Sequence, residues 1–258
     1  MSLCGMMTNR APYQLDTSIF RRLGRAEQVT FVHRSVCLML FHMARAELLR
    51  MGFILAGGKS SRMGPGVDKA FLDFAGQTLL DRALTVMGAV SDSVTIVGDP
   101  AKFAKYGSAE CKSAECRSSV CGSVVADIFS GCGPLAGIHA ALAHSPAELN
   151  LMLAVDMPFV SQELLAFLFA EAEDNDAIIT VPRASKRLQP LCAVYRRGFS
   201  AAAEQALRAG KYKIDAAFSS VSVRVIEEKE LAAAGFSERS FFNVNTPQDR
   251  RAAKGRSS

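Results

Sequence analysis

The chain has 258 residues, 49% hydrophobic and 21% charged, an ordinary globular composition of a length that suits one large α/β domain. The formal net charge of +5 sits mostly at the start, where residues 1–50 hold seven Lys/Arg against three Asp/Glu; the rest is close to neutral, so charge gives no argument for nucleic acid. Seven cysteines with no visible secretory signal argue against a disulfide framework and for a reducing cytoplasm, and the nearest approach to a membrane span, Val36–Phe41, is too short.

Residues 1–50 read as a poorly patterned extension in which Gln28–Leu49 could form a basic amphipathic helix. The expectation is an arm without packed structure, or sequence upstream of a natural start at Met51; residues 51–258 then form one domain. The pattern changes at Gly52. Gly52–Ala56 is a short apolar run ending in Gly57-Gly58, as in a buried strand that feeds a tight loop. Phe71–Phe74 and Gly76 predict a turn, and Thr78–Val90 has helical apolar spacing. Ser93–Val97 predicts a strand ending at Gly98-Asp99-Pro100, and Val124–Ile128 a third strand. Pro134–Ala143 predicts a helix after Gly131–Gly133. Leu149–Val155 is a strong buried strand with Asp156 at its carboxyl end, and Ser161 caps a helix to about Ala172. Strands at Ala177–Val181, Leu191–Tyr195 and Val221–Ile226, a helix at Phe199–Ala209 stopped by Gly210, and a short helix opened by Thr246-Pro247 complete the series.

Strands alternating with helices predict an α/β fold, a three-layer α/β/α sandwich on a mostly parallel, Rossmann-like sheet. Ligands in such sheets bind beyond the carboxyl ends of strands, where the strand order reverses. Residues 108–122 interrupt this pattern with an imperfect five-residue repeat carrying Cys111, Cys116 and Cys121. That spacing does not suit a zinc site, and a surface-loop expansion is the expectation.

The string Leu55-Ala56-Gly57-Gly58-Lys59-Ser60-Ser61-Arg62-Met63-Gly64-Pro65-Gly66-Val67-Asp68-Lys69 carries most of the chemistry. A glycine-rich turn after a strand exposes backbone N–H groups that can cradle phosphate oxygens. Arg62 offers a planar fork of donors and Lys69 a mobile positive charge. The string is neither a P-loop nor a dinucleotide fingerprint. Asp156 ends an apolar strand, where a carboxylate is costly unless it is paired or holds a metal. Magnesium characteristically uses one or two carboxylates plus substrate phosphates. His139, on a predicted helix, reads as packed or solvated more readily than as a substrate contact.

This string resembles the signature of the molybdenum cofactor guanylyltransferases, within the larger sugar-nucleotidyltransferase-like superfamily. Gly133-Pro134-Leu135-Ala136-Gly137-Ile138 looks like that family's second glycine motif, Val155-Asp156-Met157-Pro158-Phe159 like its metal-binding motif, and Phe242-Asn243-Val244-Asn245-Thr246-Pro247 like its C-terminal motif. The resemblance covers about residues 51–250 and implies a nucleotide-diphospho-sugar transferase-like fold. It further implies that GTP and magnesium are used to attach GMP to molybdopterin with release of pyrophosphate. Leu55, Ala56, Gly57 and Gly58 would contact the nucleotide through backbone groups, and Lys69 would hold the triphosphate. Asp127 would take the family's nucleotide-binding aspartate, and Asp156 would bind magnesium. Arg62, Lys69 and Asp156 would carry catalysis. Asn243 and Asn245 could orient the metal or acceptor, or equally satisfy loop backbone groups. Where the family commonly has an asparagine after its second strand, this chain has Gly98-Asp99, so that contact falls to backbone or to Asp99. Partners would be GTP and molybdopterin, with other molybdenum cofactor biosynthesis proteins or molybdoenzyme chaperones; neither nucleic acid nor membrane is expected. Rival readings are a cytidylyl- or sugar-nucleotidyltransferase on the same scaffold, and a nucleotide-binding accessory protein without turnover.

Overall fold

A computed structural model describes residues 49–57, 68–107 and 121–254. The strands are β1 (Arg50–Leu55), β2 (Asp73–Phe74), β3 (Gln77–Thr78), β4 (Ser93–Val97), β5 (Cys121–Val125), β6 (Leu149–Ala154), β7 (Ile179–Ala184), β8 (Arg187–Leu188), β9 (Cys192–Arg196) and β10 (Val223–Ile226). The helices are α1 (Leu79–Gly88), α2 (Ala104–Gly107), α3 (Pro134–His144), α4 (Gln162–Glu173), α5 (Phe199–Arg208), α6 (Asp215–Phe218), α7 (Glu228–Ala233) and α8 (Pro247–Lys254). Strands β10, β7, β9, β6, β1, β4 and β5 lie side by side in one sheet, with β8 pairing onto β7. Six of them run in one direction, and β9 alone in that row is antiparallel to both its neighbours.

The exception follows from chain length. A parallel crossover needs a dozen or more residues. Here β7 turns through Ser185-Lys186 into β8, and Cys192 opens β9 soon after. The returning chain can only pair antiparallel. Both turn residues hold positive φ, 49° and 61°, as a two-residue hairpin turn that matches strand twist requires. A second such hairpin, β2–β3, turns at Ala75 and Gly76.

Period-two alternation sends successive residues of each strand into two cores. Leu149, Leu151 and Leu153 of β6 join Ile54, Leu80, Leu84, Leu165 and Phe169 on the face covered by α1 and α4. Met152 joins Phe53, Ile138, Tyr195 and Phe199 on the face covered by α3 and α5. The three-layer α/β/α arrangement is therefore the observed one. Helix α1 starts where Thr78 Oγ1 accepts from the Asp81 N–H at 3.0 Å, and α4 where Ser161 Oγ accepts from Leu164.

Chain direction places the site. From β1 the chain moves outward to β4 and β5, then returns across the sheet to β6 on the other side of β1. The strand order thus reverses between β1 and β6, and the residues following these two strands flank the crevice. Those residues are Ala56-Gly57 and Val155-Asp156.

Some expected boundaries move. The third strand occupies Cys121–Val125 rather than Val124–Ile128, because it pairs with β4 in a register ending at Val97 with Val125. Asp127 consequently lies beyond the sheet, in the loop above it. Arg50, expected in the extension, opens β1: its N–H donates to Asp92 Oδ2 at 2.8 Å and its Nε to Glu173 Oε1 at 2.7 Å. Residues 1–48 of the expected extension, the repeat up to Val120, and Gly58 to Val67 lie outside the described residues. Among the described residues no helix is long and apolar enough to cross a membrane, and Cys132 and Cys192 are free thiols.

Candidate active site

Lys69 opens a short 3-10 turn, Lys69–Phe71, whose geometry is fixed by the residue before it. Asp68 has extended backbone, and its Oδ1 accepts from the Ala70 N–H at 3.0 Å. Its other oxygen is ion-paired with Lys102 from the loop after β4. Ala70 is buried, which anchors the turn to the core. The Lys69 side chain is thereby directed at the end of β6.

There Lys69 Nζ donates to Asp156 Oδ2 at 3.1 Å and to Asn245 Oδ1 at 2.5 Å. The lysine and aspartate side chains are only 19% and 15% exposed, so each charge leans on the other. Asp156 is held through its backbone as well: its carbonyl accepts from the Val244 N–H at 2.8 Å. The loop beyond it is clamped where Arg82 Nε donates to the Pro158 carbonyl, while Arg239 lies over the Phe159 ring at 4.7 Å.

Asn245 is placed by Asp249. Asp249 Oδ2 accepts from the N–H groups of Asn245 and Thr246 at 3.0 and 2.8 Å, and the Asp249 N–H donates to Thr246 Oγ1 at 3.1 Å. This reciprocal cap starts α8 and rigidifies the asparagine loop. Burial pushes the Asp249 carboxyl up, but the Thr246 hydroxyl, the two N–H groups and the Lys69 charge together leave it below the ordinary carboxylate range. No motif singles out Asp249, although the Thr246-x-x-Asp249 spacing is a capping signal that the sequence carries.

A second cluster forms around Asp127. A Cβ on Gly57 would lie 3.6 Å from Asp127 Oδ2, and one on Gly137 would lie 3.5 Å from Oδ1. The two glycine motifs therefore meet the same carboxylate. Burial pushes this carboxyl above its ordinary range, and Oδ1 is buried without a hydrogen-bond partner among the described residues. A half-buried carboxylate with an unsatisfied oxygen beside the nucleotide loop is suited to receive N–H or O–H donors from a ligand.

Leu55, Ala56 and Gly57 lie at the carboxyl end of β1, with the Ala56 N–H donated to Val97 O at 2.9 Å and Leu55 O accepting from Val155. Gly98 faces its own loop: its N–H donates to Val125 O at 2.9 Å, and a Cβ there would meet Phe103 Cε2 at 2.7 Å. Asp99 Oδ1 accepts from the Ala101 N–H and so caps that loop. Asn243 and Asn245 make different contacts. Asn245 takes Lys69, while Asn243 Nδ2 donates to the Phe241 carbonyl at 3.1 Å. His139 is buried, edge-on to Phe129 at 5.3 Å, and burial lowers its pKa while Glu204 raises it and Arg208 lowers it further. Gly58 and Arg62 lie outside the described residues.

A family model described as the MobA-like NTP transferase domain matches residues 52–223. The chain belongs to the MobA-like NTP transferase family. A probable molybdenum cofactor guanylyltransferase of Pelotomaculum thermopropionicum is 38% identical over 198 residues, covering 77% of this chain and 88% of the relative. A molybdenum cofactor guanylyltransferase of Desulfosudis oleivorans is 33% identical over 199 residues, covering 77% and 91%. The crystal structure of molybdopterin-guanine dinucleotide biosynthesis protein A from Archaeoglobus fulgidus superposes with a TM-score of 0.67 at 27% identity, covering 80% of this chain and 98% of that one. This MobA-like chain is thus a nucleotidyltransferase by family.

As a metal site, the Asp156 cluster suits magnesium better than zinc. Among the described residues no group of three or more His, Cys, Asp or Glu side chains converges on one point. One carboxylate beside an amide oxygen is the partial ligand set that magnesium completes with water and substrate phosphates. The residues present fit that ion.

Proposed function

We propose that this protein is a molybdenum cofactor guanylyltransferase, transferring GMP from GTP to molybdopterin and releasing pyrophosphate. The observation that carries the proposal is the direct contact of Lys69 with both Asp156 and Asn245, three residues from three motifs, at the strand-order reversal of a MobA-like chain. An oxygen of the molybdopterin phosphate forms a new P–O bond at the α-phosphorus of GTP. The bond from that phosphorus to the α–β bridging oxygen breaks, and the electron pair leaves on pyrophosphate. The attacking phosphate is already ionised, so no general base is needed, and catalysis is chiefly positioning and charge neutralisation.

Asp127, wedged between Gly57 and Gly137, would accept donors from the nucleoside. Lys69 would stabilise charge on the triphosphate and then on departing pyrophosphate, together with Arg62. Asp156 would hold magnesium, which when bound supplies charge neutralisation to the phosphate oxygens. Asn245 and Asp249 keep Lys69 aimed. The reaction is assigned to the cytoplasm on the cysteine usage of the chain.

The test is pyrophosphate release from each of the four NTPs with molybdopterin and magnesium. GTP is expected to support turnover well above the others. A preference for CTP would transfer the chain to cytidylyl chemistry, and no release with any NTP would leave a binding protein without turnover.

A further inference from the structure

A cleft of about 430 Å³ lies between the β7–β8 hairpin and the segment Glu238–Asn243. That is within the range of small-molecule sites, about 300–1,000 Å³. Arg187, Glu238 and Arg239 supply its charged groups, and Leu188, Phe241, Phe242 and Asn243 line much of the rest.

The walls are built rather than incidental. Ser185 and Lys186 hold φ values of 49° and 61°, a conformation that residues with a Cβ rarely adopt. Two hydrogen bonds fix the strained turn to the facing elements: Ser185 Oγ donates to Glu238 Oε2 at 2.8 Å, and the Lys186 N–H to Glu228 Oε1 at 2.6 Å. Two polar groups in the cleft are left over. The Arg187 guanidinium has no ion-pair partner among the described residues, and Glu238 keeps its second carboxylate oxygen.

The chain links the cleft to the reacting groups. Asn243 lines it; the next residue, Val244, donates to the Asp156 carbonyl, and the next, Asn245, accepts from Lys69. Two residues of extended chain span at most about 7 Å.

The geometry points to this cleft as the subsite for the acceptor's ring system: a planar fused heterocycle with an aminopyrimidinone edge, tethered to a phosphate. Such an edge presents amino and ring N–H donors beside a carbonyl oxygen and a ring nitrogen. The Glu238 carboxylate accepts from the donors, and the Arg187 guanidinium donates to the acceptors. The tethered phosphate then runs along Asn243–Asn245 toward Lys69 and Asp156. This assignment rests on the guanylyl-transfer reading above and adds the residues that recognise its acceptor.

The experiment compares the full-length wild type with Arg187→Gln and Glu238→Gln. Pyrophosphate release is measured against molybdopterin concentration at saturating GTP, and GTP binding is measured separately. Each variant is expected to raise the KM for molybdopterin about tenfold, the weight of one charge-assisted hydrogen bond, with GTP binding unchanged. Both side chains are exposed, so folding should be intact; a matching melting temperature checks this, and Arg187→Glu, which reverses the charge, should raise KM further. Variants with wild-type KM on a wild type that turns over would overturn the cleft assignment and leave the guanylyl-transfer reading standing. A wild type that releases no pyrophosphate overturns both. Raised KM with CTP in place of GTP supports the cleft and overturns only the nucleotide.

Discussion

Replacing Lys69 by methionine keeps an unbranched side chain one atom shorter and removes its charge. In the folded protein Lys69 Nζ lies 3.1 Å from Asp156 Oδ2, with both side chains more than four-fifths buried. Removing one partner of a fully buried pair costs about 3–5 kcal/mol, because the other charge is left uncompensated. The residual exposure lets water reach Asp156, so the expected loss is about 1–3 kcal/mol. For a domain of this size each kcal/mol shifts the melting temperature by about 2–4 °C, which predicts a drop of about 2–12 °C. Turnover should fall further than stability, by about 10²–10³, the usual cost of removing one preorganised charge-stabilising donor. The double variant Lys69→Met/Asp156→Asn separates the two effects. It removes the stranded charge, so melting should recover, while activity should not. Thermal melting and pyrophosphate release read both quantities. A Lys69→Met protein that melts with the wild type and keeps turnover within about threefold would refute the reasoning, since neither the ion pair nor the phosphate role would then exist.

Two other variants probe the supporting groups. Asp249→Ala frees the Asn245 loop, so kcat should fall about tenfold while GTP binding holds, and Asp249→Glu should restore part of the loss; an equal fall in GTP affinity would instead indicate a collapsed site. Asp127 gives a pH dependence. Its folded-state carboxyl is raised by burial above the ordinary value of 3.8. The folded state therefore binds more protons than the unfolded one in that window, and its contribution to stability is full below 3.8 and lost as pH rises through the raised folded value. Asp127→Asn removes that loss, so it should melt above the wild type at neutral pH and alongside it in acid, while binding GTP more weakly at neutral pH. If the variant binds GTP as well as the wild type, Asp127 does not receive the nucleotide.

Much of the fold was legible because parallel strands buried on both faces announce themselves as apolar runs. Leu149–Val155 and Ser93–Val97 could hardly be anything else, and glycines and capping hydroxyls mark where the helices begin and end. The short elements were not legible. The β8 strand has two residues, and its turn uses Ser185-Lys186 where Asn-Gly would have signalled a hairpin. Residue chemistry and spacing also nominated Lys69 and Asp156 one by one, and the family resemblance added Asp127. What they touch was another matter. Lys69 and Asp156 are 87 residues apart, and Lys69 and Asn245 are 176 apart. No local pattern encodes a contact across such separations; it appears only when β1 and β6 lie side by side.

The sequence by itself determined the alternation of strands and helices, the glycine loops that follow particular strands, and the residues able to carry charge. The tertiary structure decided the antiparallel course of β9, the separate contacts of Asn243 and Asn245, and the meeting of both glycine motifs on Asp127. It also assembled the cleft from the β7–β8 hairpin and a segment some fifty residues later. The physical reason is the same in each case. Local propensities set the conformation of neighbouring residues, whereas burying both faces of one sheet fixes which distant residues share a crevice.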